Sequence, residues 1–241
     1  EPYEDAEGEE RKGTFDFAID FNQFGWDIRR LSAGDDFVAS MIGVLKKESS
    51  QAIFIFPVWS ARQQVNPRLR KMYGNYSLEM ITLLQAINTI KDDCHIAAIV
   101  PVGSVGSYAE TDARKTLSNQ TSIEYVIEST ADTLLHNVVA VDTATIILRK
   151  QVTEQQNISF FQLANGVEDD KTTFFRGLAQ LKQGQIAEMP YGYHFSGQLD
   201  DEYSLTYAKY HPEHERRQTR LIKHFGDVRP LSELVDHIPT V

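Results

Sequence analysis

"HIAAIVPVGSVGSYAETDARKTLSNQTSIEYVIEST", His95–Thr130, decides the fold. Its apolar run Ile96–Val100 stops at Pro101-Val102-Gly103, the pattern of a strand buried on both faces and closed by turn residues. The polar segment "ETDARKTLSNQ" predicts a helix ending near Asn119, and "IEYVIES" predicts a second strand. Upstream, "SLEMITLLQAINTIK" predicts a helix with Ser77 as N-cap and Met80, Leu83, Leu84, Ile87 and Ile90 as its apolar stripe. Before it, "AIFIF" is another fully apolar strand, and after the opening stretch "AVDTATIILRK" is rich in β-branched residues. The alternation of strands and helices implies a three-layer α/β domain, with a mostly parallel sheet and right-handed crossovers.

The flanks are less regular. "GTFDFAIDFNQ" alternates like a strand, "GWDIRRL" reads as a helix start, and "DDFVASMIGVLKKE" as a helix with Phe37, Met41, Val44 and Leu45 on one face. Beyond residue 150, "ISFFQLA" is strand-like and "DDKTTFFRGLAQLKQGQ" helical. "DEYSLTYAKYHPEHERRQTRL" reads as an extended tail crossing the domain, then a short charged helix. Three regions follow: an acidic, flexible leader (1–13), an α/β core (14–150) and a C-terminal extension (151–241).

A net charge of -10 over 241 residues argues against an unaided nucleic-acid clamp, which needs a positive surface to displace counterions. It leaves room for local basic patches or a basic partner. The single cysteine, Cys94, reads as a small apolar core residue of an intracellular, cytoplasmic protein. No apolar run is long enough to span a bilayer, so no membrane partner is expected.

Segment order carries a resemblance. The opening stretch resembles a passage of the N6-adenine DNA methyltransferases that form the modification subunits of type I restriction-modification systems. In that family a strand ending in Val-Pro-x-Gly precedes a loop and an arginine-bearing helix, and a later strand closes with Ile-Leu-x-x-Lys. Here these are Ile99–Gly103, Arg114-Lys115 and Ile146–Lys150. "DDEYSLTYAKYHPEH" resembles the family's Asn-Asp-Tyr-x-Leu stretch, and "HFGDVRPLSELVDHIPTV" the lead-in to a target-recognition domain. The resemblance covers residues 50–241. It implies a Rossmann-like S-adenosylmethionine-dependent methyltransferase fold with a late antiparallel strand near Ala140–Arg149.

In this family the strand before "SLEMITLLQ" ends in Asn-Pro-Pro-aromatic. The Asn side chain and a proline carbonyl hold the adenine amine, and the aromatic stacks on the flipped base. The matching positions are Phe56, Pro57, Val58 and Trp59. A proline and a stacking ring are kept. Phe56 has no acceptor for the amine, so orientation and transition-state stabilisation are weakened. By the same resemblance, S-adenosylmethionine would meet Asp20 at its ribose and Asp35 near its adenine, but no glycine-rich Asp-Pro-x-x-Gly-x-Gly turn is present. The implied role is an impaired methyltransferase-like platform for DNA or partner subunits in a restriction, modification or phage-defence complex. An active, diverged adenine methyltransferase and an unrelated α/β nucleotide-binding module are the alternatives.

Each residue also has a plainer reading. Trp59 serves equally as a core-edge aromatic, Asp20 as a turn residue, and Pro101-Val102-Gly103 as a strand-terminating turn. Arg62, Arg68, Arg70 and Lys71 form a basic loop near Tyr73 and Tyr76, which either is merely solvated or follows a phosphate backbone. His211 and His214, beside Glu213 and Glu215, read as a charged helix start, and no metal site is assigned.

Overall fold

The computed structural model describes residues 3–4, 10–11, 37–46, 52–55, 67–129, 142–163 and 192–225. Two short strands, β1 (Tyr3–Glu4) and β2 (Glu10–Arg11), pair antiparallel within the acidic leader. The main sheet has six strands: β3 (Ala52–Ile55), β4 (His95–Pro101), β5 (Ser122–Ser129), β6 (Thr143–Arg149), β7 (Gln156–Leu163) and β8 (Gly192–Gly197). Their spatial order is β3-β4-β6-β5-β7-β8. Parallel pairing joins β3 to β4 and β5 to β7, while β6 is antiparallel to both β4 and β5, and β8 antiparallel to β7.

Four of the six strands therefore run one way, as the alternation implied. The expected late antiparallel strand is β6, and it slots between β4 and β5. The two strands of the opening stretch are thus parallel in direction without being neighbours. β7 and β8, from the region beyond residue 150, continue the same sheet.

Among the described residues six helices accompany the sheet: α1 (Phe37–Leu45), α2 (Pro67–Tyr73), α3 (Leu78–Thr89), α4 (Val102–Gly106), α5 (Thr111–Gln120) and α6 (Pro212–Phe225). The α3 stripe lies where its periodicity put it: Met80, Leu83, Leu84, Ile87 and Ile90 are buried in one cluster with Val38 and Met41 of α1 and Ala113 and Leu117 of α5. Register builds the sheet side of this core. Ala98, Ile146, Val126, Phe160 and Tyr193 stand opposite one another across five strands, and all are buried. Cys94 is buried at the start of this sheet, as its apolar reading required.

Polar residues fix the element ends. Ser77 Oγ accepts the Met80 N–H at 3.2 Å, which caps α3. At its other end the Lys150 ammonium donates to Ile90 O at 2.6 Å, so the lysine closing "IILRK" holds the last turn of α3. Buried Gln156 donates to Ser118 O and Thr121 O, both at 3.0 Å, and accepts from Ile123 N at 2.8 Å. One amide thereby ends α5 and starts β5.

The tail after β8 crosses the sheet, as expected, and its helix α6 is longer than the sequence implied, 14 residues. An aromatic cluster pins the crossing. Phe160 stacks on Tyr193 at 5.1 Å, Phe195 meets Tyr210 at 4.4 Å, and Tyr207 lies edge-on to Tyr193 at 5.2 Å.

Candidate functional site

Because β3, β4, β5 and β7 share a direction, Ile55, Pro101, Ser129 and Leu163 fall along one edge of the sheet. In open α/β sheets ligands bind outside such carboxyl ends. At this edge β4 turns directly into α4, with Val102 N donating to Asp142 O at 3.0 Å. A 3-10 turn, Tyr108–Glu110, then leads into α5. Glu110, nearly fully buried, accepts the Ser77 N–H on Oε1 at 2.7 Å, tying the exit of β4 to the start of α3. Its Oε2 is buried with no hydrogen-bond partner.

Arg114 is the hub of this edge. It is 1% exposed, yet charged, and it spends its guanidinium on backbone carbonyls. Nε donates to Tyr203 O, one terminal nitrogen to Ser107 O and the other to Glu202 O, each at 2.8 Å. Longer bonds of 3.3 Å reach Ser104 O and Thr111 Oγ1. Burial lowers the pKa of the group, and Glu110, Asp200 and Glu202 oppose that shift. The arginine therefore joins the loop after β4 to the tail. Next to it Leu205 N donates to Val105 O at 2.9 Å, and Gly106 leaves room for the Thr206 methyl, which an added Cβ would meet at 2.6 Å.

Further along, Glu128 on β5 accepts the Tyr207 N–H at 2.6 Å. Burial pushes its carboxyl up, the Tyr207 N–H counteracts this, and Asp142 adds to it. Burial likewise raises Tyr193 and Tyr210, so both stay neutral phenols; Tyr193 donates to Tyr207 O. Asp200 holds the turn before the tail through Ser204 N at 3.1 Å, Tyr210 Oη at 3.1 Å and Lys209 Nζ at 2.8 Å. Burial alone would raise its carboxyl, but these partners hold it below the usual range.

Phe56, Pro57, Val58, Trp59, Asp20, Asp35 and Arg62 lie outside the described residues. In sequence Phe56 follows Ile55, the last residue of β3. Arg68, Arg70 and Lys71 are described, and they correct the expectation of a loop: they sit on helix α2. Pro67 is favourable at a first helical position, nothing in "RLRKMY" breaks the helix, and Gly74, with φ of 59°, ends it. All three basic side chains are exposed. Arg70 is committed to its own helix end, donating to Gly74 O at 2.8 Å and Tyr76 O at 3.0 Å. Tyr73 and Tyr76 pack toward the core instead of interleaving with the cations, and Tyr73 bonds Gln85.

The roles of Glu110, Arg114 and Glu128 were not assigned from sequence. One signal was available: Arg114 falls on the same face of its helix as Leu117 and Ser118, where an exposed residue does not belong. His211 uses Nδ1 to accept the Glu213 N–H at 3.1 Å and sets its ring 5.1 Å from Tyr193, so it caps α6 and packs. Among the described residues no group of three or more His, Cys, Asp or Glu could hold a metal, and no helix is long and apolar enough to cross a membrane. Two carboxylates at this edge, Glu110 and Glu128, are engaged by the Ser77 and Tyr207 amides, and the residues expected to meet S-adenosylmethionine, Asp20 and Asp35, are among those outside the description.

The strand order, with an antiparallel strand inserted between parallel ones, defines the Rossmann-like methyltransferase fold, in the form that resembles restriction-modification proteins. No family model matches the sequence, and no curated protein does. Solved structures do match. One is the type IIG restriction endonuclease BpuSI, with a TM-score of 0.55 and 14% identity over 76% of this chain. Another is described as a modification subunit of a candidate type I restriction enzyme from Vibrio vulnificus YJ016, with a TM-score of 0.52 and 10% identity over 77% of this chain. This chain spans 23% and 42% of those two proteins' lengths.

Proposed function

We propose that the chain is a methyltransferase-like domain of a restriction, modification or phage-defence assembly. It does not methylate adenine efficiently and serves as a platform for DNA or partner subunits. One observation supports this reading: β3 lies beside β4 in the sheet, and the residue after Ile55, where the family resemblance calls for Asn, is Phe56. Without an amide there, the exocyclic amine of a flipped adenine has no side-chain acceptor at that position. The tail after β8, tied to the carboxyl edge through Arg114, suits a platform that presents its following helix to DNA or a partner subunit. The inserted antiparallel strand β6 weighs against an unrelated nucleotide-binding module.

Isothermal titration with S-adenosylmethionine tests the cofactor, and methyl transfer to duplex DNA tests the chemistry. The expected result is no methylation by the wild type. Methylation that is abolished in Trp59→Ala would overturn the reading in favour of an active, diverged adenine methyltransferase. Cofactor binding without methylation, restored by Phe56→Asn, would locate the impairment in the loop.

A further inference from the structure

Helix α6 runs against the charge of the rest of the chain. The sequence has 24 Lys and Arg against 34 Asp and Glu. In α6 the balance reverses: Arg216, Arg217, Arg220 and Lys223 against Glu213 and Glu215. Its described side chains from His214 onward are exposed, and no other described element packs extensively on it. At 3.6 residues per turn, Arg216, Arg220 and Lys223 fall on one face with Arg217 at its border. Leu221 and Ile222, 50% and 54% exposed, lie away from that stripe.

We propose that this basic face of α6 binds the phosphate backbone of duplex DNA. At about 1.5 Å of rise per residue, Arg217, Arg220 and Lys223 follow one another at about 4.5 Å along the axis, while Arg216 beside them is ion-paired with Glu213 at 2.7 Å. That reach covers about three successive phosphates of one strand, which rise about 3.4 Å each. Three of the four cations are arginines, whose planar fork donates two parallel hydrogen bonds to a phosphate. The remainder of the chain is acidic and repels DNA, so contact concentrates on this helix. The choice of duplex DNA over other polyanions rests on the restriction-modification reading above.

The test is fluorescence anisotropy of a labelled duplex of about 30 base pairs titrated with the full chain from about 50 mM salt upward, where phosphate contacts are strongest. Each lost phosphate contact flattens the plot of log affinity against log salt by about 0.9, so the triple variant R217Q/R220Q/K223Q flattens it by about 2.7 and weakens binding roughly tenfold or more at low salt. Glutamine is a good helix former, so the far-UV circular dichroism stays unchanged. If the triple variant does lose helicity, R220Q alone carries the test, with a slope flatter by about 0.9. The charge-keeping R217K/R220K retains the wild-type slope. The proposal is overturned by a wild type that binds phosphatidylserine vesicles or poly-glutamate but no duplex. It is also overturned by glutamine variants that keep the full slope; in that case the duplex is bound elsewhere, and the function proposed above stands.

Discussion

Replacing Arg114 with alanine tests whether one buried guanidinium fastens the tail to the core. The substitution removes three bonds of 2.8 Å, to Ser107, Glu202 and Tyr203, and two of 3.3 Å, to Ser104 and Thr111. At about 1.5–3 kcal/mol for a hydrogen bond to a charged group, the three short bonds represent roughly 5–9 kcal/mol before compensation. Two effects reduce that figure. The variant no longer buries a charge, and water reaches the Glu202 and Tyr203 carbonyls once the side chain is gone. The net loss is about 3–5 kcal/mol, from the buried carbonyls left without donors and the space left by the side chain. At this chain size each kcal/mol lowers Tm by about 2–4 °C, so the expected drop is roughly 6–20 °C.

Because the bonds bridge to the tail, the loss has a local signature. Amide exchange accelerates first at Leu205 and Tyr207, whose N–H groups bond Val105 O and Glu128. R114K keeps the charge but cannot span the carbonyls as a fork, and falls between wild type and alanine. An R114A protein melting within about 2 °C of wild type, with Leu205 and Tyr207 still protected, would refute the reasoning.

Two further outcomes follow from the same edge. Glu128 has a folded-state pKa raised above the ordinary value near 4.5, so its contribution to stability is fully present below that value and is lost as pH rises through the folded pKa. Glu128→Gln can still accept the Tyr207 N–H and does not ionise; its Tm should match wild type near pH 4 and exceed it increasingly toward pH 7. A difference that shrinks as pH rises contradicts this sign. Gly106→Ala places a Cβ 2.6 Å from the Thr206 methyl, so the Thr206 side chain turns from its place beside Ser204 or the tail shifts off α4, a loss of about 1–3 kcal/mol. It reads out as a lower urea midpoint, and an unchanged midpoint shows that the tail does not press on Gly106.

Much of this architecture was legible in the sequence because its signals are local. The period of "SLEMITLLQAINTIK" gave both the buried face of α3 and its Ser77 cap, and the apolar runs gave β3 and β4. The basic segment after Arg62 reads as a loop because its helix, Pro67–Tyr73, buries no residue and so shows no apolar stripe; only Pro67 and Gly74 mark its ends. The fourteen-residue length of α6 was equally hard to see, since an exposed charged helix has no apolar stripe to mark its end.

Sequence by itself determined the strands β3 and β4, the apolar face of α3 and the identity of the residue that follows β3. Tertiary structure alone decided the neighbours. Nothing in "TATIILR" announces that β6 will insert antiparallel between β4 and β5, because strand order depends on which edges remain unpaired once the crossovers have formed. The same holds for Arg114. Its partners at Glu202 and Tyr203 stand 88 and 89 residues away in the chain, and only the path of the tail over the carboxyl edge brings their carbonyls within reach of one guanidinium.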